Sequence, residues 1–440
     1  MIKKIAICVL AFLLTLTLCG CDFFTTDTSE LLTPPSLSGD LKLISEAISD
    51  SVGKAYSFKY PQSGDYRSAV VQNDIDGDGT FEAVAFYSTT DGDVTMMNIN
   101  LVSRVKDSWK SVAVQTIVAA GVHRVDFCDL NKDGVNEILV GWQIYGTSEM
   151  QLAVYSFTDG ALIQRMLNKY NHFIVCDLDE NQTNEVLVID ANTENSQNIA
   201  TLYGFTNDGV VQMGRCMLDS KVQSFGHPIV SELSSGKIAV YIDSVKGIGA
   251  ITEVLIYEKG KLSNPLYDEQ LTETVSTLRS VSFATHDFNG DSVLEIPVQL
   301  DVPSVSKSEV AEKLYLTNWC SFNGEILTTQ VTSMINVLDG YYYNIPANWV
   351  GNIAILKDTD NRIREIYTYD TEQMQVGKSL IYFRAIAKKE WDKGVYDALN
   401  LSEIGRIGDF VIACRISKEA NVTLENVKSN FGVYNQEANK

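Results

Sequence analysis

From residue 66 to residue 121 apolar and polar positions alternate in short runs: SAVVQND, FEAVAFY, VTMMNINLVSRV and WKSVAVQTIVAA, with turn-forming clusters such as Asp91-Gly92-Asp93 between them. Period-two alternation rich in β-branched and aromatic residues predicts half-buried strands, and the Gly/Asp/Asn clusters predict tight connections. The order of runs then starts again at VHRVDFCDL, so the chain reads as a repeated four-stranded unit. One such sheet cannot bury both faces alone, and stacking one unit on the next solves that. Upstream, Leu41, Ile44, Ile48 and Val52 fall at helical intervals and predict a short amphipathic helix, while Ala55 to Pro61 alternates like a strand.

The connection between the first two strands of each unit is the informative part. In the first unit it reads DIDGDGTFE, Asp74 to Glu82. Asp74, Asp76 and Asp78 at alternate positions and Glu82 four further on supply the hard carboxylate oxygens that Ca²⁺ takes, and Gly77 and Gly79 permit the tight turn. Unlike an EF-hand, whose closing Glu is the twelfth loop residue and leads into a helix, this loop closes at its ninth residue and continues into AVAFY, a β-type run. It therefore joins two strands. The stretch returns as DLNKDGVNE (129–137), DLDENQTNE (177–185) and DFNGDSVLE (287–295), at offsets of 55, 48 and 110 residues. Between the last two, near Glu232, IVSELSSGKIAVYI keeps both strands and replaces the acidic loop with a shorter Ser/Gly turn, which makes five units ending near Ile335.

On these residues the chain resembles the FG-GAP/VCBS repeat family, the calcium-loop β-propeller repeats of integrin α chains and many bacterial surface proteins. The resemblance covers residues 66 to 335. It implies a mainly β fold: a five-bladed β-propeller over residues 60–338, with six or seven blades as the alternative, and the acidic loops on one rim. It also implies structural Ca²⁺ at two to four sites. The ligands would be Asp74, Asp76, Asp78, Glu82 and the Thr80 carbonyl in the first loop, and Asp129, Asn131, Asp133 and Glu137 in the second. Asp177, Asp179, Asn181 and Glu185 would serve in the third, and Asp287, Asn289, Asp291 and Glu295 in the last. The Phe-Gly and Gly-Ala-Pro signatures are absent. Position six is Gly79 and Gly134 in two loops but Gln182 and Ser292 in the others, a departure that bears on the turn and hence on the metal there.

Residues 339–440 have another character and are expected to form a small α+β domain. Strands are predicted around Asp360-Asn361, in KSLIYFRAIAKKEW and in DFVIACRIS, and Leu424, Val427 and Phe431 mark one face of a final helix. At the other end, residues 1–20 pair two lysines with an apolar run too short for an ordinary membrane span, as a secretory signal does. Leu18-Cys19-Gly20-Cys21 resembles a bacterial lipobox, which implies cleavage before Cys21 and a lipid on its sulfur. Residues 21–39, rich in Ser, Thr and Pro, suit a flexible tether, and residues 40–59 hold the short helix and leading strand. The implied location is the extracytoplasmic face of the cell membrane.

Charge narrows the partners. The chain carries a net charge of −21, and loss of Lys3 and Lys4 with the signal makes it −23. That disfavours nucleic acid and an anionic membrane surface as electrostatic partners. Beyond the leader, Cys128, Cys176, Cys216, Cys320 and Cys414 show no CxxC spacing and no even framework, so neither zinc nor a disulfide scaffold is indicated. No HExxH, GxSxG or Gly-rich phosphate loop is present, and Gly290-Asp291-Ser292 belongs to a repeat loop rather than an esterase block. His123 and His172 precede their loop aspartates by six and five residues and read as repeat-position residues. No catalytic residue or organic cofactor is assigned. The resulting expectation is a non-enzymatic binding or scaffold module that meets the membrane through lipid on Cys21 and engages an envelope protein or wall glycan. The alternative is an envelope hydrolase or lyase acting on a glycan or peptide.

Overall fold

The computed structural model describes residues 39–91, 94–106, 108–147, 149–192, 197–305 and 313–434. The leader, the tether and the lipidation residue Cys21 lie outside the described residues. No helix among those described is long and apolar enough to cross a membrane.

The fold is mainly β, and its sheets follow the repeats. In the first sheet Tyr56–Phe58 and Val70–Asn73 both pair with Glu82–Asp91, which continues to Val94–Val105 and Ser108–Ile117. The second sheet is Gly121–Cys128, Glu137–Gln143, Met150–Thr158 and Ala161–Tyr170; the third is His172–Cys176, Glu185–Asn192, Gln197–Thr206 and Gly209–Leu218. The fourth is built on Ile238–Lys246 and Gly249–Glu258, and the fifth on Ile296–Val302, Leu314–Phe322 and Leu327–Asn336. Each acidic loop is a hairpin connection in one register: the residue before the loop pairs with the closing Glu, as Asn73 with Glu82, Cys128 with Glu137, Cys176 with Glu185 and His286 with Glu295. In the fourth sheet Glu232 pairs with Ile238 across the shortened turn.

Successive sheets bury their faces against each other. Val84, Phe86 and Ile99 of the first pack on Ile138, Val140 and Trp142 of the second, and Leu139 and Val154 of the second pack on Phe173 and Val186 of the third. Leu187 and Leu202 meet Val240 and Leu255 of the fourth, whose other face meets Ile296 and Phe322 of the fifth. Alternation along each strand therefore feeds two different cores, as blade stacking requires.

The expected closed five-bladed ring is not what forms. In a closed ring the outer face of the first sheet would be covered by the last. Here helix α1 (Asp40–Val52) covers it, with fully buried Ile44 and Ile48 set against Ala83, Ala85, Tyr87, Val102 and Trp109. Each such side chain contributes about 1.5–3 kcal/mol by leaving water, which satisfies that face without ring closure. Among the described residues no hydrophobic cluster joins the first sheet to the fifth or to the sheet beyond it.

Beyond residue 338 the fifth sheet continues through Tyr341–Asn344 and takes Phe431–Val433 as its edge. A sixth sheet, Ile353–Asp358, Ile363–Asp370, Gln375–Ala387, Phe410–Ile416 and Ser402–Ile407, packs on the fifth, placing Val302, Leu316 and Met334 in one core with Ile355, Ile366 and Phe383. The last helix is Leu424–Ser429, shorter than its apolar spacing implied. Phe431 opens a strand instead, because Asn430 ends the helix and Phe431 pairs with Tyr343.

Candidate functional site

The four acidic loops share one hydrogen-bond plan. In each, the closing Glu is buried and its Oε2 accepts the N–H of the second loop residue: Glu82 from Ile75, Glu137 from Leu130, Glu185 from Leu178 and Glu295 from Phe288, at 2.8–2.9 Å. The first Asp accepts the N–H of residue six, as Asp74 does from Gly79 and Asp129 from Gly134. The plan holds where residue six is not glycine. Gln182 and Ser292 adopt φ of 68° and 72°, the left-handed conformation of Gly79 and Gly134, and donate to Asp177 and Asp287 at 2.7 and 2.8 Å. The departure at position six therefore leaves the turn intact.

Two loops gather ligand atoms directly. Carboxylate oxygens of Asp74, Asp76 and Asp78, and likewise of Asp177, Asp179 and Glu185, lie within 4.8 Å of one another. In the second loop Asp129 Oδ1 is buried with no hydrogen-bond partner, the oxygen that a cation would satisfy. Asn131 and Asn289 turn their amide nitrogens toward Asp133 and Asp291 at 2.9 Å, so a cation in these loops must replace those hydrogen bonds. Thr80 presents both its N–H and its hydroxyl to Asp78 Oδ1, which lowers the Asp78 pKa, the hydroxyl more strongly. The donor set is all oxygen, which fits Ca²⁺ better than a soft metal. Ca²⁺ in the first loop would be held by Asp74, Asp76 and Asp78, and in the third by Asp177, Asp179 and Glu185.

The loops touch in chain order along one edge. Asn136 of the second loop donates to Asn73 Oδ1 and to the Asp74 carbonyl, Lys132 reaches the Asn181 carbonyl of the third, and Glu180 of the third accepts from Ile238 N beside the shortened turn. Burial, above all, raises the Glu82, Glu137 and Glu295 carboxyls. Glu185, buried with Asp179 and Asp177 close by, is pushed to about 7 against the Leu178 N–H. A cation in that loop must displace this proton. Calorimetric titration of the chelator-treated protein is therefore expected to reveal at least two Ca²⁺ sites and a raised melting temperature, with Asp76→Ala removing one site. A site in the third loop is expected to weaken by about tenfold between pH 8 and pH 6. No heat and no thermal shift at millimolar Ca²⁺ would refute the assignment.

The opposite edge carries different chemistry. His123 is the third residue of Gly121–Cys128 and His172 the first of His172–Cys176, the first strands of neighbouring sheets, and both line a cleft of about 470 Å³ together with Asn171, Asn198, Gln223 and Ser224. His123 Nδ1 lies 2.7 Å from the Tyr170 hydroxyl and its Nε2 3.1 Å from Ser63 Oγ. His172 Nε2 lies 3.1 Å from the Phe225 carbonyl, and its ring meets His227 edge-on. Burial lowers the pKa of both imidazoles, helped at His123 by Arg124 and Arg67, so both are neutral near pH 7. A neutral imidazole hydrogen-bonded to a hydroxyl can take or give a proton. Read one by one, these histidines mark strand starts; the signal that unites them is that strand starts of adjacent repeats are neighbours in space.

A further ionisable cluster is partly buried. Lys246 pairs with Asp219 and Glu273 at 2.7 Å, Arg279 with Asp243 at 2.9 Å, and fully buried Glu253 accepts from Asp219 N. Burial pushes Glu253 to about 7. These groups tie the fourth sheet to Asp219 and to the segment 273–279. Cys176, Cys320 and Cys414 are buried thiols, Cys128 and Cys216 are half-buried, and burial raises all five.

No protein-family model matches the chain, and no curated protein matches it. Solved structures similar to it include the exotype rhamnogalacturonan lyase YesX, at 13% identity over 74% of this chain and 66% of that one, TM-score 0.28. Rhamnogalacturonan lyase YesW matches at 12% identity over 73% of this chain and 83% of that one, TM-score 0.30. The Bacillus licheniformis rhamnogalacturonan lyase PL11 matches at 9% over 73% and 77%, TM-score 0.29. The chain thus spans just under two thirds of the first of these. All three are lyases, which stands against the expectation of a non-enzymatic module. Likeness at this level carries neither a shared fold nor an activity, and both rest on the residues described above.

Proposed function

We propose that the protein is an extracytoplasmic enzyme, held to the membrane by lipid on Cys21, that acts on an envelope glycan or peptide as a hydrolase or lyase. The supporting observation is the polar cleft on the edge away from the acidic loops, where His123, held by Tyr170 and Ser63, stands near His172 among amide and hydroxyl side chains. The two histidines stand near the starts of corresponding strands in adjacent sheets, and their partners Tyr170 and Ser63 bring hydroxyls from elsewhere in the chain. In this reading the stacked sheets are FG-GAP/VCBS-type blades in an open array, and Ca²⁺ in their loops is structural. It fixes the hairpins that set the register of the first strands, and the far ends of those strands carry the two histidines. His123 exchanges the proton, Tyr170 fixes its ring, and the amides and hydroxyls of Asn171, Asn198 and Ser224 orient the substrate.

The test is turnover of a panel of polysaccharides and peptidoglycan fragments, with products separated by mass. An elimination product carries a new carbon–carbon double bond and absorbs in the ultraviolet; a hydrolysis product gains water and does not. His123→Ala is expected to lower the rate by about 10²-fold or more, while Asp76→Ala lowers stability and leaves the rate per folded molecule unchanged. Turnover indifferent to both His123→Ala and His172→Ala, or none on any member of the panel, would overturn the proposal.

A further inference from the structure

Glu253 lies in the strand Gly249–Glu258 of the fourth sheet, opposite Ile242, and is fully buried. Its two carboxyl oxygens have unlike surroundings. Oε1 collects three donors: Asp219 N and Asn264 Nδ2, each at 2.9 Å, and the Thr274 hydroxyl at 3.3 Å. Oε2 is buried and accepts from none of the described residues, and the same is true of Asn264 Oδ1, the other end of the amide that donates to Oε1. Two buried acceptors without a donor, on side chains already joined at their other ends, are satisfied together by a single proton. A carboxylic acid donates one O–H, and an amide can meet it with both its N–H and its oxygen.

The surroundings favour the neutral form. Facing Glu253 are the Asp219 carboxylate, the Cys216 thiol from the last strand of the third sheet, and the Tyr267 hydroxyl. Of the cations in this region Lys246 is held by Asp219 and Glu273, Arg279 is held by Asp243, and Lys261 acts on Cys216. Burial is the main cause that raises the Glu253 carboxyl, and the Asp219 charge adds to it, against the hydrogen bonds that Oε1 accepts. Asp219 also connects Glu253 to the histidine cleft. Its carbonyl accepts from Asn198 Nδ2 at 2.7 Å and its Oδ1 from Lys221 N at 2.8 Å. Asn198, Ser220, Val222 and Phe225 line that cleft.

We propose that Glu253 is held as a neutral carboxylic acid whose Oε2 proton is given to Asn264 Oδ1, and that its ionisation loosens the 219–225 wall of the histidine cleft. Loss of the proton leaves Oε2 and Asn264 Oδ1 without a donor and sets a second negative charge beside Asp219, the residue that joins Glu253 to the wall. The folded protein holds this proton more tightly than the unfolded chain, whose Glu carboxyls titrate at about 4.3. The stabilisation it gives is therefore full below that pH and is lost as pH rises through about 7. None of this depends on the enzymatic reading.

Difference infrared spectroscopy and amide hydrogen exchange on the full chain test it. At pH 6 the parent is expected to show a protonated-carboxyl band that is absent from Glu253→Gln, and that band gives way to carboxylate as the pH is raised to 8. Exchange of the amides of residues 219–225, corrected for the intrinsic rate, is expected to rise by about tenfold or more between pH 5 and pH 8 in the parent. In Glu253→Gln, whose amide reproduces the neutral acid, it is expected to stay level. The same variant is expected to match the parent's melting temperature at pH 5 and to exceed it at pH 8, a comparison that cancels the titration of Glu185 and the histidines, present in both proteins. Exchange in the second acidic loop, residues 129–137, is the control and is expected to follow one course in both. A Glu253 carboxyl already ionised at pH 6, exchange of residues 219–225 indifferent to the change at 253, or a Glu253→Gln protein that fails to fold or is less stable than the parent at pH 8, would overturn the proposal.

Discussion

Replacing Lys246 by methionine is expected to destabilise the protein by about 3 kcal/mol or more, a loss typical of breaking a buried ion pair from one side. The Lys246 ammonium is 10% exposed and lies 2.7 Å from both Asp219 and Glu273, and the Asp219 carboxylate is wholly buried. Methionine matches the length of the stem and removes only the charge, leaving the buried Asp219 carboxyl without its counter-charge. Two backbone donors remain to it, Lys221 N and Thr274 N at 2.8 Å, which keeps the expected loss toward the lower end of the range. Glu273 is on the surface side of the pair, so Glu273→Gln is expected to cost much less than Lys246→Met. The denaturant midpoint measures both, and a double change with Asp219→Asn is expected to recover part of the loss by removing the stranded charge. A Lys246→Met protein within 1 kcal/mol of the parent would show that Asp219 is not sealed from water.

Gly77→Ala is expected to be the most damaging change in the acidic loops. Gly77 has φ of 73°, where a Cβ costs about 1–2 kcal/mol, and that Cβ would also stand 2.3 Å from the Gly134 carbonyl oxygen. The obstacle is backbone, so relief requires the first and second loops to separate, straining the Asn136 bonds to Asn73 and Asp74. Gly79→Ala is the matched control. Its φ is 84°, and nothing lies within 4 Å of the added methyl. The difference between the two variants isolates the contact between loops. Gly77→Ala is expected to lower the melting temperature more than Gly79→Ala and to weaken Ca²⁺ binding in both loops. Equal effects would mean that the loops move independently.

Much of the architecture was legible along the chain, because strands and hairpins depend on neighbours. The run VTMMNINLVSRV is a strand from Val94 to Val105, the second and third acidic loops join the first two strands of their sheets while the last is closed by a single bridge from His286 to Glu295, and Ile44 and Ile48 form the buried stripe of α1. The turn at Gln182 and Ser292 was less legible. A preference for glycine is local, but the Asp177 and Asp287 carboxylates and the buried Glu185 and Glu295 hold the loop in register and impose the left-handed backbone.

Alternation along a strand determined that both faces of each sheet must be buried, and it could not say by what. Only the assembled molecule decided that α1, rather than a last blade, covers the first sheet, since a helix and a sheet meet the same hydrophobic demand. The same holds for Phe431, whose place in an apolar spacing gave way to pairing with Tyr343, nearly ninety residues earlier. The sequence likewise determined that carboxylates recur at fixed intervals, for they lie within nine residues of one another. The histidine cleft joins residues as far apart as His123 and Phe225, and the Lys246 network joins Lys246 to Asp219 and Glu273, each 27 residues away. Such sites come into being when separate sheets pack, and no local pattern records them.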